Sequence, residues 1–283
     1  MEKNTVTRAA FLAVCATLLG TTAWAQTTPA QTAGSSASLP TVYLIGDSTV
    51  KNGTKGQQGW GDPFALLVDP ARAHVVNRAR GGRSSRTYYT EGLWAAVEKE
   101  LKPGDVVMMQ FGHNDGGPLD RAPYRASIKG DGDQTEEWTD PRPENKGAKE
   151  TVHTYGWYLS QYIKGAKAKG ATVVVFSLVP RNIWQEKDGK ATLGRASNDY
   201  GKWAKSVAER DGATFIDLND IVARRYETEG KDAVAARYFG ATDHTHTTPE
   251  GARVTAGCVA DALKAAKVAP VADWFLPVAS VTH

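Results

Sequence analysis

Cysteine is nearly absent. The 283 residues contain two, Cys15 and Cys258, and the first lies in a segment read below as removed. One remaining cysteine cannot make an internal disulfide, so an exported fold must rest on its hydrophobic core. Cys258 sits in an apolar helical pattern and reads as a small core residue. Long apolar runs are missing after residue 25, so nothing in the body of the chain is predicted to span a bilayer. An excess of one charge is missing too. Lys and Arg number 34 against 31 Asp and Glu, and no basic stripe points to nucleic acid. There is no internal repeat. With 41% hydrophobic and 23% charged residues, the remainder has the composition of a soluble globular protein. Its length suits one large domain or two small ones.

Lys3 and Arg8, the apolar run 9–19 and the small-x-small triplet Ala23-Trp24-Ala25 read as a secretory signal peptide over 1–25, cleaved before Gln26. The run is short for a membrane anchor. Val14 is bulky for the residue preceding a lipidated cysteine. Removal takes Lys3, Arg8 and Glu2, leaving a nearly neutral chain bound for the periplasm or the exterior. Residues 26–40, rich in Thr, Ala, Ser, Gln and Gly, read as a disordered leader to a domain over 41–283.

That domain opens on Val42-Tyr43-Leu44-Ile45-Gly46-Asp47-Ser48-Thr49, a buried strand stopped by a glycine with a serine two residues on. Further strands are predicted over 74–77, 105–111, 171–178 and 214–217. Each is followed by a helical pattern. Asp62 and Pro63 are placed as N-cap and N1 of the first helix, with Phe64, Leu67 and Val68 on its buried face. Leu93, Val97 and Leu101 mark a second helix; Tyr155, Tyr158, Leu159, Tyr162 and Ile163 belong to one over 151–169. Tyr200, Trp203 and Val207 mark the next, and 218–226 another. Thr248 caps a last helix that Pro249 starts, with Ala252, Ala256, Val259 and Leu263 inward. Trp274-Phe275-Leu276 is expected to pack at a place the sequence does not specify. Residues 118–150 are charged, rich in Pro and Gly and without periodicity; following a candidate site loop, they are expected to line a substrate cleft.

Five strands each followed by a helix imply an α/β fold with a parallel sheet covered on both faces. The loops bearing Ser48, Gly82 and Asn114 then share the carboxyl rim, where open sheets keep their sites. A serine nucleophile needs a base, and the base an orienting partner. His246, with Asp243 three residues earlier on a loop or single turn, supplies them; His244 competes for the role. Attack on an ester carbonyl needs donors aimed at the oxyanion, and the Ser48 N–H, a Gly82 N–H and the Asn114 amide are candidates. A zinc site on Asp243, His244 and His246, joined by His113 and Asp115, is the competing reading, and it leaves Ser48 and the Gly82 loop unexplained.

The blocks Gly46-Asp47-Ser48-Thr49-Val50, Gly81-Gly82-Arg83-Ser84, Phe111-Gly112-His113-Asn114-Asp115-Gly116-Gly117 and Asp243-His244-Thr245-His246-Thr247 occur in the order of the SGNH (GDSL-like) hydrolases. Within that family the chain resembles the rhamnogalacturonan acetylesterases. The resemblance implies a flavodoxin-like three-layer α/β/α sandwich with a central five-stranded parallel sheet, and a catalytic set of Ser48, His246 and Asp243. It implies an oxyanion hole of Ser48, Gly82 and Asn114, no metal or other cofactor, and removal of O-acetyl groups from pectin. The first block ends in Thr rather than Leu, which fits the acetylesterase branch and weakens a lipase reading. The expected partner is an acetylated polysaccharide met by a monomer, with neither nucleic acid nor membrane involved. Tyr124, Trp138 and Trp157 are candidates to stack on sugar rings, or packing aromatics; Arg83, Arg86 and Arg181 are candidates for uronate carboxylates, or ordinary surface ion pairs. Alternatives are an esterase for xylan acetyl groups, acyl lipids or thioesters, and a non-catalytic glycan-binding protein.

Overall fold

Apolar residues in unbroken runs make strands that are buried on both faces, and these build the centre of the fold. The computed structural model describes residues 38–145, 147–196 and 199–277. The signal segment 1–25 and most of the leader lie outside them. The strands are β1 (Thr41–Gly46), β2 (His74–Asn77), β3 (Val106–Gln110), β4 (Thr135–Thr139), β5 (Lys149–His153), β6 (Thr172–Phe176), β7 (Trp184–Lys187), β8 (Lys190–Leu193), β9 (Thr214–Ile216), β10 (Phe239–Gly240) and β11 (Asp243–Thr247). The helices are α1 (Gly61–Ala65), α2 (Ser85–Thr90), α3 (Leu93–Glu100), α4 (Tyr155–Ala168), α5 (Tyr200–Asp211), α6 (Leu218–Glu229), α7 (Lys231–Tyr238) and α8 (Pro249–Ala265).

The expected five-stranded parallel sheet is present, in the order β2-β1-β3-β6-β9. Side chains alternate across it. Val42 and Leu44 of β1 join Val106, Met108, Val174 and Phe176 in a core covered by α1, α6, α7 and α8. Tyr43 and Ile45 face the other way, with Val107, Met109, Val173 and Val175, under α2, α3, α4 and α5. This is the α/β/α sandwich. The chain steps one way from β1 to β2 and the other way from β2 across to β3, β6 and β9. Right-handed crossovers put the helices of the two directions on opposite faces, so a crevice opens beyond the carboxyl ends of β1 and β3.

Several local expectations are corrected. Trp60, not Asp62, precedes α1, and Asp62 sits within its first turn, accepting Asn77 Nδ2 at 2.8 Å. The segment 118–150 is not wholly irregular: β4 pairs antiparallel with β5, so 151–153 is strand and the helix starts only after the Thr154 cap. The pattern hid this because β4 buries Trp138 alone. A second hairpin, β7–β8, and the helix α7 were not anticipated. Residues 243–247 are a strand paired with β10, not a loop. The tail packs against the end of α1: Trp274 is buried, Asp69 N–H bonds Trp274 O at 2.7 Å, and Leu276 N–H bonds Leu67 O at 2.9 Å. Cys258 is half-buried against the first core, where burial pushes its thiol up to about 11. No described helix is long and apolar enough to cross a membrane.

Candidate active site

Gly46 ends β1 where backbone and side chains crowd together. A Cβ there would lie 2.5 Å from the Gln110 carbonyl oxygen and 2.6 Å from Val50 Cγ2, so only glycine fits. The chain then turns sharply around Asp47. The buried Asp47 carboxylate accepts Thr49 N–H at 2.8 Å and Thr49 Oγ1 at 2.7 Å, while Val50 and Lys51 N–H bond the Asp47 carbonyl. This turn leaves Ser48 half-exposed at the rim, and its Oγ lies 2.8 Å from His246 Nε2.

His246 Nδ1 is 2.8 Å from Asp243 Oδ2. In a regular strand, residues three apart point to opposite faces. Here Asp243 Oδ1 accepts the N–H groups of Thr245 and His246 at 2.7 and 2.9 Å, and the β10 pairing slips between Phe239 and Gly240. The irregular strand so folds the carboxylate back onto the ring. Partial burial opposes its charge, but the two N–H bonds and the imidazole outweigh that and hold the carboxyl well below the usual range. An ionised carboxylate only accepts, so Nδ1 carries the ring proton and Nε2 is free to accept from Ser48 Oγ. His244 is exposed, and its carbonyl accepts Asn182 N–H at 2.7 Å.

The other two blocks meet the serine from the neighbouring strands. Gly82, after β2, has φ +79°, and a Cβ on Gly81 would touch Ser48 Cβ at 3.7 Å. Asn114, after β3, is buried and donates from Nδ2 to Arg83 O at 2.9 Å; the amide has a second hydrogen. Among the described residues no acceptor takes the N–H of Ser48 or Gly82. The arrangement pairs an alcohol with a base on one side and places uncommitted donors near it, which is what attack on a carbonyl requires.

The five residues of the zinc reading do not converge. His113 Nδ1 faces Asp47 Oδ2 at 3.4 Å and Nε2 lies 3.0 Å from Val179 O. Asp115 turns inward to accept Ser85 N–H at 3.0 Å and Ser127 Oγ at 3.0 Å. Among the described residues no group of three such side chains has the geometry to hold a metal. Burial opposes ionisation of Asp47 also, but His113 and Thr49 hold its carboxyl below the ordinary value.

The sugar-contact candidates divide. Trp157 is stacked on His153 with ring centroids 3.7 Å apart, and Trp138 is buried beneath the Arg86 guanidinium, so both are packing residues. Tyr124 lines a 660 Å³ pocket beside Gly82. Arg86 is 1% exposed, with Glu150 at 2.7 and 2.8 Å and Ala126 O at 2.9 Å, so it is not free for a substrate. Arg83 is tied to Glu91 at 2.9 Å. Arg181 remains exposed at the rim.

Some participants escaped the sequence. Gln57 Nε2 donates to Asp243 Oδ2 at 2.9 Å. Its signal was only a polar residue in the glycine-rich loop after the nucleophile strand. Trp60 Nε1 donates to Gln110 Oε1 at 2.9 Å, and Gln110 Nε2 reaches Thr49 Oγ1, which bonds Asp47, so a buried polar chain braces the turn.

Residues 44–254 match the GDSL-like lipase/acylhydrolase family. The rhamnogalacturonan acetylesterase of Emericella nidulans is 36% identical over 234 residues, 83% of this chain and 89% of that protein. A probable rhamnogalacturonan acetylesterase of Bacillus subtilis is 30% identical over 79% of this chain and 92% of its own length. The solved structure of the Bacillus subtilis protein YxiM superposes with a TM-score of 0.64 at 24% identity; it covers 82% of this chain, and this chain spans 58% of it, so that likeness concerns the fold. From the family match over residues 44–254 and the relatives of 36% and 30% identity, it follows that the chain belongs to the GDSL-like lipase/acylhydrolase family and is a carboxylic-ester hydrolase.

Proposed function

We propose that this protein removes O-acetyl groups from rhamnogalacturonan, with Ser48 as nucleophile, His246 as base and Asp243 as its orienting partner. The observation that carries the reading is the continuous chain from Ser48 Oγ to His246 to Asp243, 2.8 Å at each link. The substrate rests on the two relatives named rhamnogalacturonan acetylesterases.

Ser48 Oγ bonds to the acetyl carbonyl carbon while its proton passes to His246 Nε2. Asp243 steadies the imidazolium that forms. The carbonyl electrons move onto oxygen, where the Ser48 N–H, the Gly82 N–H and the second Asn114 N–H receive them. The tetrahedral centre collapses, the carbon–oxygen bond to the sugar breaks, and His246 returns the proton to the departing sugar oxygen. Water then adds to acetyl-Ser48 by the same route, releasing acetate and restoring the serine.

Acetate release from acetylated rhamnogalacturonan by the purified protein tests this, with Ser48→Ala alongside and acetylated xylan as the comparison polymer. The reading expects release from the pectic polymer that disappears in the variant. Cleavage of a small activated acetate ester without release from the pectic polymer would overturn the substrate. Inertness of the wild type on every ester would overturn the catalytic set. Export as a monomer after cleavage before Gln26 belongs to the same proposal; N-terminal sequencing of the exported protein and light scattering check it.

A further inference from the structure

Arginines in this chain are ordinarily paired. Arg78, Arg83, Arg86 and Arg142 each meet a carboxylate within 2.5–2.9 Å. Among the described residues six others do not, and three of the six lie together. Arg121, Arg125 and Arg181 make no ion pair among the described residues, yet they share one pocket of 390 Å³ with His113 and Asn114. Burial lowers the proton affinity of Arg125, and Arg181 adds to that against the opposing charges of Asp47 and Asp115. Neither carboxylate forms an ion pair with the three: Asp47 accepts from Thr49 and faces His113, and Asp115 accepts from Ser85 and Ser127.

Two of the three are also held in place. Arg125 Nη1 donates to Gly82 O at 3.2 Å, and Arg181 Nη2 donates to His113 O at 3.3 Å. Arg121 folds over Gly117, where a Cβ would overlap its guanidinium. Two of the three thus grip the backbone beside the proposed oxyanion groups, Gly82 itself and the residue before Asn114, and keep further N–H donors for the pocket. The pocket is of the size of small-ligand sites, about 300–1,000 Å³. It is also the middle of a row. It shares His113, Gly116 and Arg181 with a 360 Å³ pocket on one side, and Pro123 and Arg125 with the 660 Å³ pocket on the other. A chain of sugars laid along this row passes the three arginines beside Gly82 and Asn114, two of the proposed oxyanion groups.

We propose that Arg121, Arg125 and Arg181 form a subsite for the free carboxylate of a uronic acid in the acetylated chain. The inference rests on the acetylesterase reading for its place in the reaction. A planar carboxylate matches the guanidinium fork in geometry and charge, whereas its methyl ester lacks the charge. The enzyme therefore selects stretches whose uronates are not methyl-esterified, and the reaction class that prepares its substrate is hydrolysis of uronate methyl esters.

Binding of unacetylated trigalacturonate by calorimetry tests the subsite without relying on ester cleavage. The probes are the free acid and its methyl ester. The proteins are wild type, Arg121→Gln, Arg181→Gln, Arg181→Lys, and Arg72→Gln as a control at the opposite edge of the sheet. The expected result is binding of the acid at least tenfold tighter than the methyl ester. Each Arg→Gln change at the pocket weakens the acid tenfold or more, Arg181→Lys restores part of the loss, and Arg72→Gln changes nothing. Thermal unfolding of each variant identifies any that fail to fold. Equal binding of acid and ester, acid binding unaltered in both Gln variants, or no binding to wild type at millimolar probe would each overturn the subsite. Failure of the acetylesterase reading shows differently, as trigalacturonate binding by a protein that releases no acetate.

Discussion

Gln57 and His246 share one oxygen. Asp243 Oδ2 accepts Gln57 Nε2 at 2.9 Å and faces His246 Nδ1 at 2.8 Å. A carboxylate held from two sides presents its lone pair to the imidazole in a fixed direction. The loop carrying Gln57 is itself stapled to β11, through Gln58 N–H to Thr247 O and Thr247 Oγ1 to Gln58 O, both at 2.9 Å. Gln57→Ala should lower kcat on a small acetate ester roughly tenfold, about 1.4 kcal/mol of transition-state stabilisation, with little change in KM. Steady-state kinetics measure it; a change confined to KM would mean that Gln57 contacts substrate instead.

Asp243→Asn should be far more damaging. The amide offers donors where the imidazole needs an acceptor, so the ring adopts the wrong tautomer and Nε2 no longer accepts from Ser48. A loss on the order of 10³–10⁴ in kcat is expected with the fold intact. Comparing turnover with the circular dichroism spectrum separates this from unfolding.

Arg86 and Glu150 carry a structural prediction. Their side chains are 1% and 27% exposed, and the pair ties α2 to β5 over the Trp138 ring. Arg86→Met leaves the carboxylate without its partner and Ala126 O without its donor. The cost should be about 3–5 kcal/mol, read from urea unfolding. Cleavage by trypsin within 118–150 should become faster in the same variant; an unchanged cleavage rate would mean that other contacts hold the hairpin.

Asp115 makes stability depend on pH in an unusual direction. Burial pushes its carboxyl up to about 6, against the bonds from Ser85 and Ser127. The unfolded group titrates near 3.9. Between roughly pH 4 and 6 the folded chain keeps a proton that the unfolded chain has released, so this group's contribution is complete below pH 4 and is lost as pH rises through 6. The unfolding free energy of wild type minus that of Asp115→Asn should fall by on the order of 2–3 kcal/mol from pH 4 to pH 7. A flat difference across that range would refute the assignment.

What could be read from the sequence follows from what each element is made of. The sheet was legible because its strands are continuous apolar runs, as in Val106–Gln110 and Thr172–Phe176, and such runs have few alternative fates. The placement of Ser48 and Asn114 at the carboxyl rim was legible because each follows such a run. The hairpins were not, since β4 and β5 bury one residue each and are held by their own ladder and by Arg86. β11 contains no apolar residue, so nothing in Asp-His-Thr-His-Thr announces a strand. Arg86, Trp138 and Trp157 stayed open between substrate contact and packing because side-chain type suits either, and tertiary neighbours decide it. The pairing of Gln57 with Asp243 joins residues 186 positions apart, which no local pattern encodes.

Ser48 and His246 are separated by 198 positions. At the usual pace of synthesis of about 5–20 residues per second, the proposed nucleophile leaves the ribosome roughly 10–40 s before its proposed base. On the proposed catalytic set, a nascent or truncated chain that lacks β11 is inert towards esters, however well its sheet has formed. The same reading has activity arrive in one step, when the late strand docks against the loop at Gln58. The appearance of ester cleavage during synthesis or refolding would thus serve as a clock for completion of the whole domain.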